Sequence, residues 1–170
     1  MAPRGDLPTL LATDWSVLLA NNVALRIAEP QLIASVHARV PIGGVGRAWK
    51  PALDQVWAFL KADATLKPGH NLFLYHHPAR RDAPMDVDFG VEVERRFEMT
   101  GNVRCVETPA GEIAWTRHIG PYARLHDAHD AIHAWCAAHK RAIGGASWET
   151  YGDWNEDPAK LETIVSYLLV

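Results

Sequence analysis

The sequence predicts one α+β domain made by duplicating a strand–helix–strand–strand unit, with an antiparallel sheet and two main helices related by a pseudo-two-fold axis. Three observations predict it. Residues 29–97 and 103–170 repeat the same order of elements. Each stretch carries one stripe of apolar residues at three- and four-residue spacing, set among runs of strand-forming residues. The two stretches also superpose on particular residues: Trp57 falls opposite Trp135, and Leu72-Phe73-Leu74-Tyr75 opposite Trp148-Glu149-Thr150-Tyr151. One such unit leaves an apolar sheet face uncovered, whereas two units can bury it.

In the first repeat, residues 32–40 read as a strand, and Gly43, Gly44 and Gly46 mark a turn. Trp49, Leu53, Val56, Trp57 and Leu60 then trace a helix. Pro68-Gly69 breaks the chain, and residues 72–75 and 87–97 read as strands. In the second repeat, residues 103–108 and 112–118 read as a hairpin around Pro109-Ala110-Gly111. Gly120-Pro121 marks the next turn, with Pro121 suited to a first helical turn. Leu125, Ala128, Ile132, Trp135 and His139 form the second helical stripe, and Gly144-Gly145 ends that segment. Residues 148–151 and 161–169 complete the unit as strands. Residues 1–26 form an N-terminal extension to a single domain over 27–170; Asp14 is placed to cap a helix around Trp15 to Leu19.

The 170 residues suffice for one domain with a substantial core. A net charge of -3 argues against a nucleic-acid surface, and no direct nucleic-acid binding is expected. The apolar stretch over residues 7–27 is interrupted by Asp14, Ser16, Asn21, Asn22 and Arg26, so neither a membrane helix nor a secretory signal is expected. Cys105 and Cys136 are well separated and lie in no metal-ligand spacing, which fits a reducing cytoplasm. The extension is too short for a helix-turn-helix domain, so a complete transcription regulator is not expected.

Side chains of a strand alternate between its two faces. Phe73 and Tyr75 therefore share one face, and Glu149 and Tyr151 share the matching face of the other repeat. A carboxylate stands where the internal copy has a phenyl ring. Two readings are open. Glu149 either faces solvent or a partner arginine, as most glutamates do, or it lies at the base of an aromatic pocket. There it would attract a lipophilic cation, aided by ring faces. Burial would raise its pKa and a bound cation would lower it.

The same region carries a family resemblance. Gly111-Glu112, His118-Ile119-Gly120-Pro121-Tyr122, a helix through Ala134-Trp135, Trp148-Glu149-Thr150-Tyr151 and Leu161-Glu162-Thr163-Ile164-Val165 together resemble the GyrI-like domain. This is also the effector-binding module of AraC- and MerR-type multidrug regulators. The resemblance is strong over 103–170, weaker over 29–97 and absent from the first ~25 residues. It implies a duplicated fold with a central hydrophobic groove lined by both halves. It implies that Glu149 contacts cationic or polar parts of bulky ligands, with Tyr151 as the second lining residue. Tyr122 carries over as the Gly-Pro-Tyr tyrosine, which either packs the helix start or touches ligand. Trp57, Tyr75, Trp115 and Tyr167 are further candidates for the groove, though core packing is the better reading of each. Where relatives run directly into an Asp-Pro loop, residues 152–158 are longer here, and Trp154 either sits at the pocket mouth or covers loop backbone.

The expected function is binding of hydrophobic or cationic small molecules. Two alternatives stand beside it. One is hydrolysis of reactive cyclopropane-type compounds, as some GyrI-like proteins carry out, with Glu149 as general base and Tyr151 or Tyr122 as donor. The other is action on a protein partner, as in gyrase modulation. No cofactor and no metal are expected. His126, His129 and His133 share a helical face, but that face is offset from Leu125, Ile132 and Trp135 and reads as the solvated side. The glycines at 43–46 lack a phosphate-loop pattern.

Overall fold

The computed structural model describes residues 21–170. The helix expected around residues 15–19 lies outside them. The elements are β1 (Val23–Ala28), β2 (Leu32–Val40), α1 (Val45–Ala62), β3 (Pro68–His76), β4 (Met85–Val93), β5 (Val103–Glu107), β6 (Gly111–Ile119), α2 (His126–Ala138), β7 (Ile143–Tyr151) and β8 (Glu162–Leu169). The duplication is present as β2–α1–β3–β4 and β6–α2–β7–β8. All eight strands form one antiparallel sheet in the order β1-β6-β8-β7-β3-β4-β2-β5.

That order corrects the expected hairpin. Residues 103–107 and 111–119 are strands, but β5 pairs with β2, and β6 pairs with β1 and β8. Each half lends its first strand to the other half, so β1 caps the second repeat and β5 caps the first. Periodicity is identical for a hairpin strand and a lent strand, which is why the sequence pattern does not separate them. The strand expected over 87–97 runs instead from Met85 to Val93. Gly144 and Gly145 lie inside β7, at a register shift between Ile143 and Ser147, rather than at the end of α2.

The connections force the sheet to curl. β1 and β2 stand first and seventh in the sheet but are joined by residues 29–31 alone. Six strand spacings of a flat sheet span about 29 Å, while four Cα steps reach at most about 15 Å. The link between β5 and β6, residues 108–110, meets the same constraint. The two links run side by side: Gln31 N–H donates to Thr108 Oγ1 at 2.9 Å and Thr108 N–H to Gln31 O at 2.9 Å.

Curling explains the core. Leu72, Leu74, Ile33, Ile113, Trp115, Trp148 and Ile164 are buried together on the concave face, with Ala28 of β1 and Val106 of β5 in the same cluster. Both helices pack on the other face. α1 lays Leu53, Val56 and Leu60 over Phe89, Val91 and Val36. α2 lays Leu125, Ala128, Ile132 and Cys136 over Ala114, Val165 and Tyr167. Burying a Leu, Val or Ile side chain is worth roughly 1.5–3 kcal/mol, so these stripes fix both helices on the outer face. The gap between them lies over β3 and β7, at the pseudo-two-fold axis.

Candidate functional site

β3 and β7 pair with Phe73 opposite Glu149 and Tyr75 opposite Ser147. Strand alternation therefore places Phe73, Tyr75, Ser147, Glu149 and Tyr151 on the face beneath the helices. β8 adds Tyr167, which pairs with Ser147. Over these residues lies a cavity of about 280 Å³ lined by Val45, Tyr75, His77, Met85, His129, Ser147, Glu149 and Tyr167.

Glu149 is 5% exposed. Tyr75 O–H donates to Glu149 Oε2 at 2.6 Å, and Tyr151 O–H donates to the same oxygen. His129 Nε2 lies 2.7 Å from Oε1, and His129 Nδ1 lies 2.7 Å from the Tyr167 hydroxyl. An ionised carboxylate has no proton, so the Nε2–H of His129 must be the donor. Burial alone would push Glu149 upward. The hydrogen bond and charge of His129, with the two phenol hydrogen bonds, outweigh it and hold the carboxyl below its ordinary value of 4.5. The sequence-based expectation of a raised pKa counted burial but not three converging donors.

The phenols are protonated throughout the physiological range. Burial first, then the Glu149 charge, pushes Tyr75 and Tyr151 well above 10 and Tyr167 up to about 12. Tyr75 and Tyr151 remain donors to Glu149, and Tyr167 stays paired with His129. Among the described residues no lysine or arginine lines the cavity. His77 and His133 are held below 6.5, each mainly by burial. The cavity thus holds a carboxylate met by three hydrogen-bond donors, His129, Tyr75 and Tyr151.

Further aromatic rings pack beside the cavity. Tyr151 packs on Phe73 with ring centres 4.9 Å apart, and Trp49 of α1 sits 6.4 Å from Phe73. Tyr122 meets Tyr151 edge-on at 5.5 Å and is 41% exposed, so it both packs and presents a ring to solvent. It sits where Gly120 turns the chain with φ +142, tied by its N–H to Leu161 O at 2.8 Å. His118 Nε2 donates to Pro121 O at 3.2 Å and secures the same turn. Pro121 precedes a single helical turn, Tyr122–Arg124, and α2 begins after it.

Of the residues expected from sequence, Glu149, Tyr151, Tyr75, Tyr167 and Tyr122 come together. Two do not. Trp115 lies on the concave face, with the Arg26 guanidinium 4.8 Å over its ring, because its strand parity points it away from the helices. Trp57 packs beside the first-repeat core and donates from Nε1 to Asn71 Oδ1 at 3.0 Å. Trp154 is 75% exposed on its loop.

His129 corrects a second expectation. It faces the site, not solvent. The signal was present: residue 129 is four after Leu125 and three before Ile132, so it borders the buried stripe. His126 is exposed, while the His133 ring stacks edge-on to Tyr167 at 5.0 Å.

A larger cleft of about 700 Å³ runs along Phe59, Arg95, Phe97 and Arg104. Its arginines are already engaged: Arg95 with Thr65, Arg96 with Glu107, and Arg104 with buried Asp88 at 2.8 Å. The smaller cavity is the one with a buried carboxylate and, among the described residues, no lysine or arginine in its lining.

A curled antiparallel sheet carrying two helices and an anionic, aromatic cavity between them defines a small-molecule-binding α+β domain. The chain belongs to the GyrI-like small molecule binding domain family, whose model matches residues 22–168. The match takes in β1, which nothing in the sequence pattern had singled out. No curated protein sequence is significantly similar to the chain. Among solved structures it is similar to the C-terminal domain of EcmrR, with TM-score 0.72 and 22% identity over 88% of this chain and 97% of that one. The EcmrR chain in its complex with DNA is spanned over 57% of its length. A protein bound to tetraphenylphosphonium aligns with TM-score 0.64 and 11% identity, over 88% of this chain and 94% of that one. A hydrolase from Listeria innocua aligns with TM-score 0.62 and 12% identity, over 89% and 93%. These identities speak for the fold. Among the described residues no helix is long and apolar enough to cross a membrane.

Proposed function

We propose that the chain binds bulky hydrophobic cations in the groove between α1 and α2, with Glu149 as the counter-charge. One observation carries the reading: a buried carboxylate held ionised by His129, Tyr75 and Tyr151, with no lysine or arginine lining its cavity. A buried charge is costly unless paired. The three donors offset part of that cost, and a cationic ligand would offset more of it. The rings of Tyr75 and Tyr167, which line the cavity, supply faces that favour a quaternary cation. The tetraphenylphosphonium complex of a structural relative supports the same class of ligand. In a longer protein this domain would report such a ligand to whatever it is joined to.

The test compares a cation with a neutral compound of nearly the same shape. Calorimetry with methyltriphenylphosphonium and with triphenylphosphine oxide should give at least tenfold tighter binding of the cation, or about 1.4 kcal/mol. Equal affinity for the two would refute the reading.

Hydrolysis is the second reading, favoured by the 2.7 Å contact between His129 and Glu149 and by the hydrolase relative. Against it, three of about four lone-pair sites on Glu149 already accept hydrogen bonds. Its lowered pKa also makes it a weak base. Water activation would need one donor to move away, whereas cation binding needs no rearrangement.

A further inference from the structure

We infer that the Glu149 cavity is the head end of a longer site, and that its ligand is an elongated zwitterion: a cationic head, an apolar chain and a terminal carboxylate. The inference rests on the reading of Glu149 as a cation centre and adds the far end.

The cavity continues past Val45, His77 and Met85. The same three residues line a second cleft of about 480 Å³. The walls of that cleft are Val40, Pro41, Ile42, Pro78 and Ala83, apolar side chains from the end of β2, the loop before α1 and the loop after β3. Ile42 is 71% exposed, an apolar group in the lining of this cleft. At its margin stands one permanently charged side chain, Arg81.

Arg81 differs from its neighbour. Arg80 is bound at both ends by Asp82, with Nε to Oδ1 at 3.0 Å and Nη2 to Oδ2 at 2.6 Å. Arg81 makes no hydrogen bond or ion pair with any described residue. The groups close enough to act on it come from α2: His133 senses its charge together with that of Asp130. His77, at the junction of the two spaces, has its Nε2 2.7 Å from Ser147 Oγ. Burial and the neighbouring histidines keep it neutral. The order along the site is therefore anion, apolar passage, cation. A planar guanidinium with no acid partner among the described residues presents paired N–H donors that match a carboxylate. A purely cationic lipophile would leave Arg81 idle and would bring like charge towards it.

The test uses three probes of one chain length: an ω-trimethylammonio alkanoate, its methyl ester, and the alkyltrimethylammonium without the acid. Each is titrated calorimetrically into the wild-type protein, Arg81→Gln and Glu149→Gln, over a series of chain lengths. Wild type should prefer the zwitterion to its ester by about fivefold at the best length, as an exposed charge pair allows. The preference should shrink at high salt. Arg81→Gln should abolish the preference while binding the ester as wild type does, and Glu149→Gln should weaken all three probes. Equal binding of zwitterion and ester by wild type at every length, or a preference that survives Arg81→Gln, overturns this inference and leaves the cation reading standing. Failure of all three probes to bind wild type overturns both.

Discussion

Replacing Tyr75 by Phe removes one hydroxyl and almost nothing else. The ring stays in apolar company with Phe73, Val87 and Phe89. The oxygen it removes donates to buried Glu149 at 2.6 Å. A hydrogen bond to a charged group is worth about 1.5–3 kcal/mol, against about 0.5–1.5 kcal/mol for a neutral one. At neutral pH Glu149 is ionised, so the variant should lose about 1.5–3 kcal/mol of stability. The sign of the pH effect follows from linkage. Glu149 has a folded-state pKa below its ordinary 4.5, so its contribution is fully present above 4.5 and is lost as pH falls through the folded value. Removing a donor moves that folded value back up. The gap between wild type and variant should be widest above 4.5 and narrow below it, as the bond becomes neutral. Urea denaturation across a pH series measures this directly. A gap of the same size at all pH values, or one under about 0.5 kcal/mol at neutral pH, would refute the assignment of Tyr75 as a donor to an ionised carboxylate.

Two further outcomes follow from the same geometry. Leu74→Ala, at a fully buried position on the concave face, should cost about 2–5 kcal/mol in denaturation; cation affinity at permissive temperature should stay unchanged, because the site lies on the other side of the sheet. Cation binding should need an ionised Glu149 and should be lost as pH falls below 4.5 through its lowered folded-state value; calorimetry in matched buffers would show it, and binding that strengthened on acidification would contradict it.

Much of this molecule is legible in its sequence, because its main signals are periodic. The stripe Leu53, Val56 and Leu60 and the alternation through Phe73, Tyr75, Glu149 and Tyr151 report burial on one face, and the structure buries those faces. The exchange of β1 and β5 between halves is not legible. A strand's alternation records which face is buried but carries no record of the neighbour it pairs with. Trp115 illustrates a related limit. Its size marks it as buried, and only the sheet's curl shows that the concave side encloses it. His129 was legible from its place beside Leu125 and Ile132, but a histidine at the margin of an apolar stripe takes its meaning from what lies opposite. Here that is Glu149. The lowered pKa of Glu149 belongs to the same class, since it depends on donors from three separate elements meeting at one carboxylate.

The central claim is that an ionised Glu149 is the counter-charge for a hydrophobic cation. The most direct test is a fluorescence titration of wild type and Glu149→Gln with a lipophilic cationic dye at fixed ionic strength and neutral pH. Gln keeps the shape, and the phenols of Tyr75 and Tyr151 can accept from its amide, so the fold should hold. The account predicts saturable binding to wild type and at least tenfold weaker binding to the variant, about 1.4 kcal/mol or more. Equal affinity in a folded Glu149→Gln protein would contradict it.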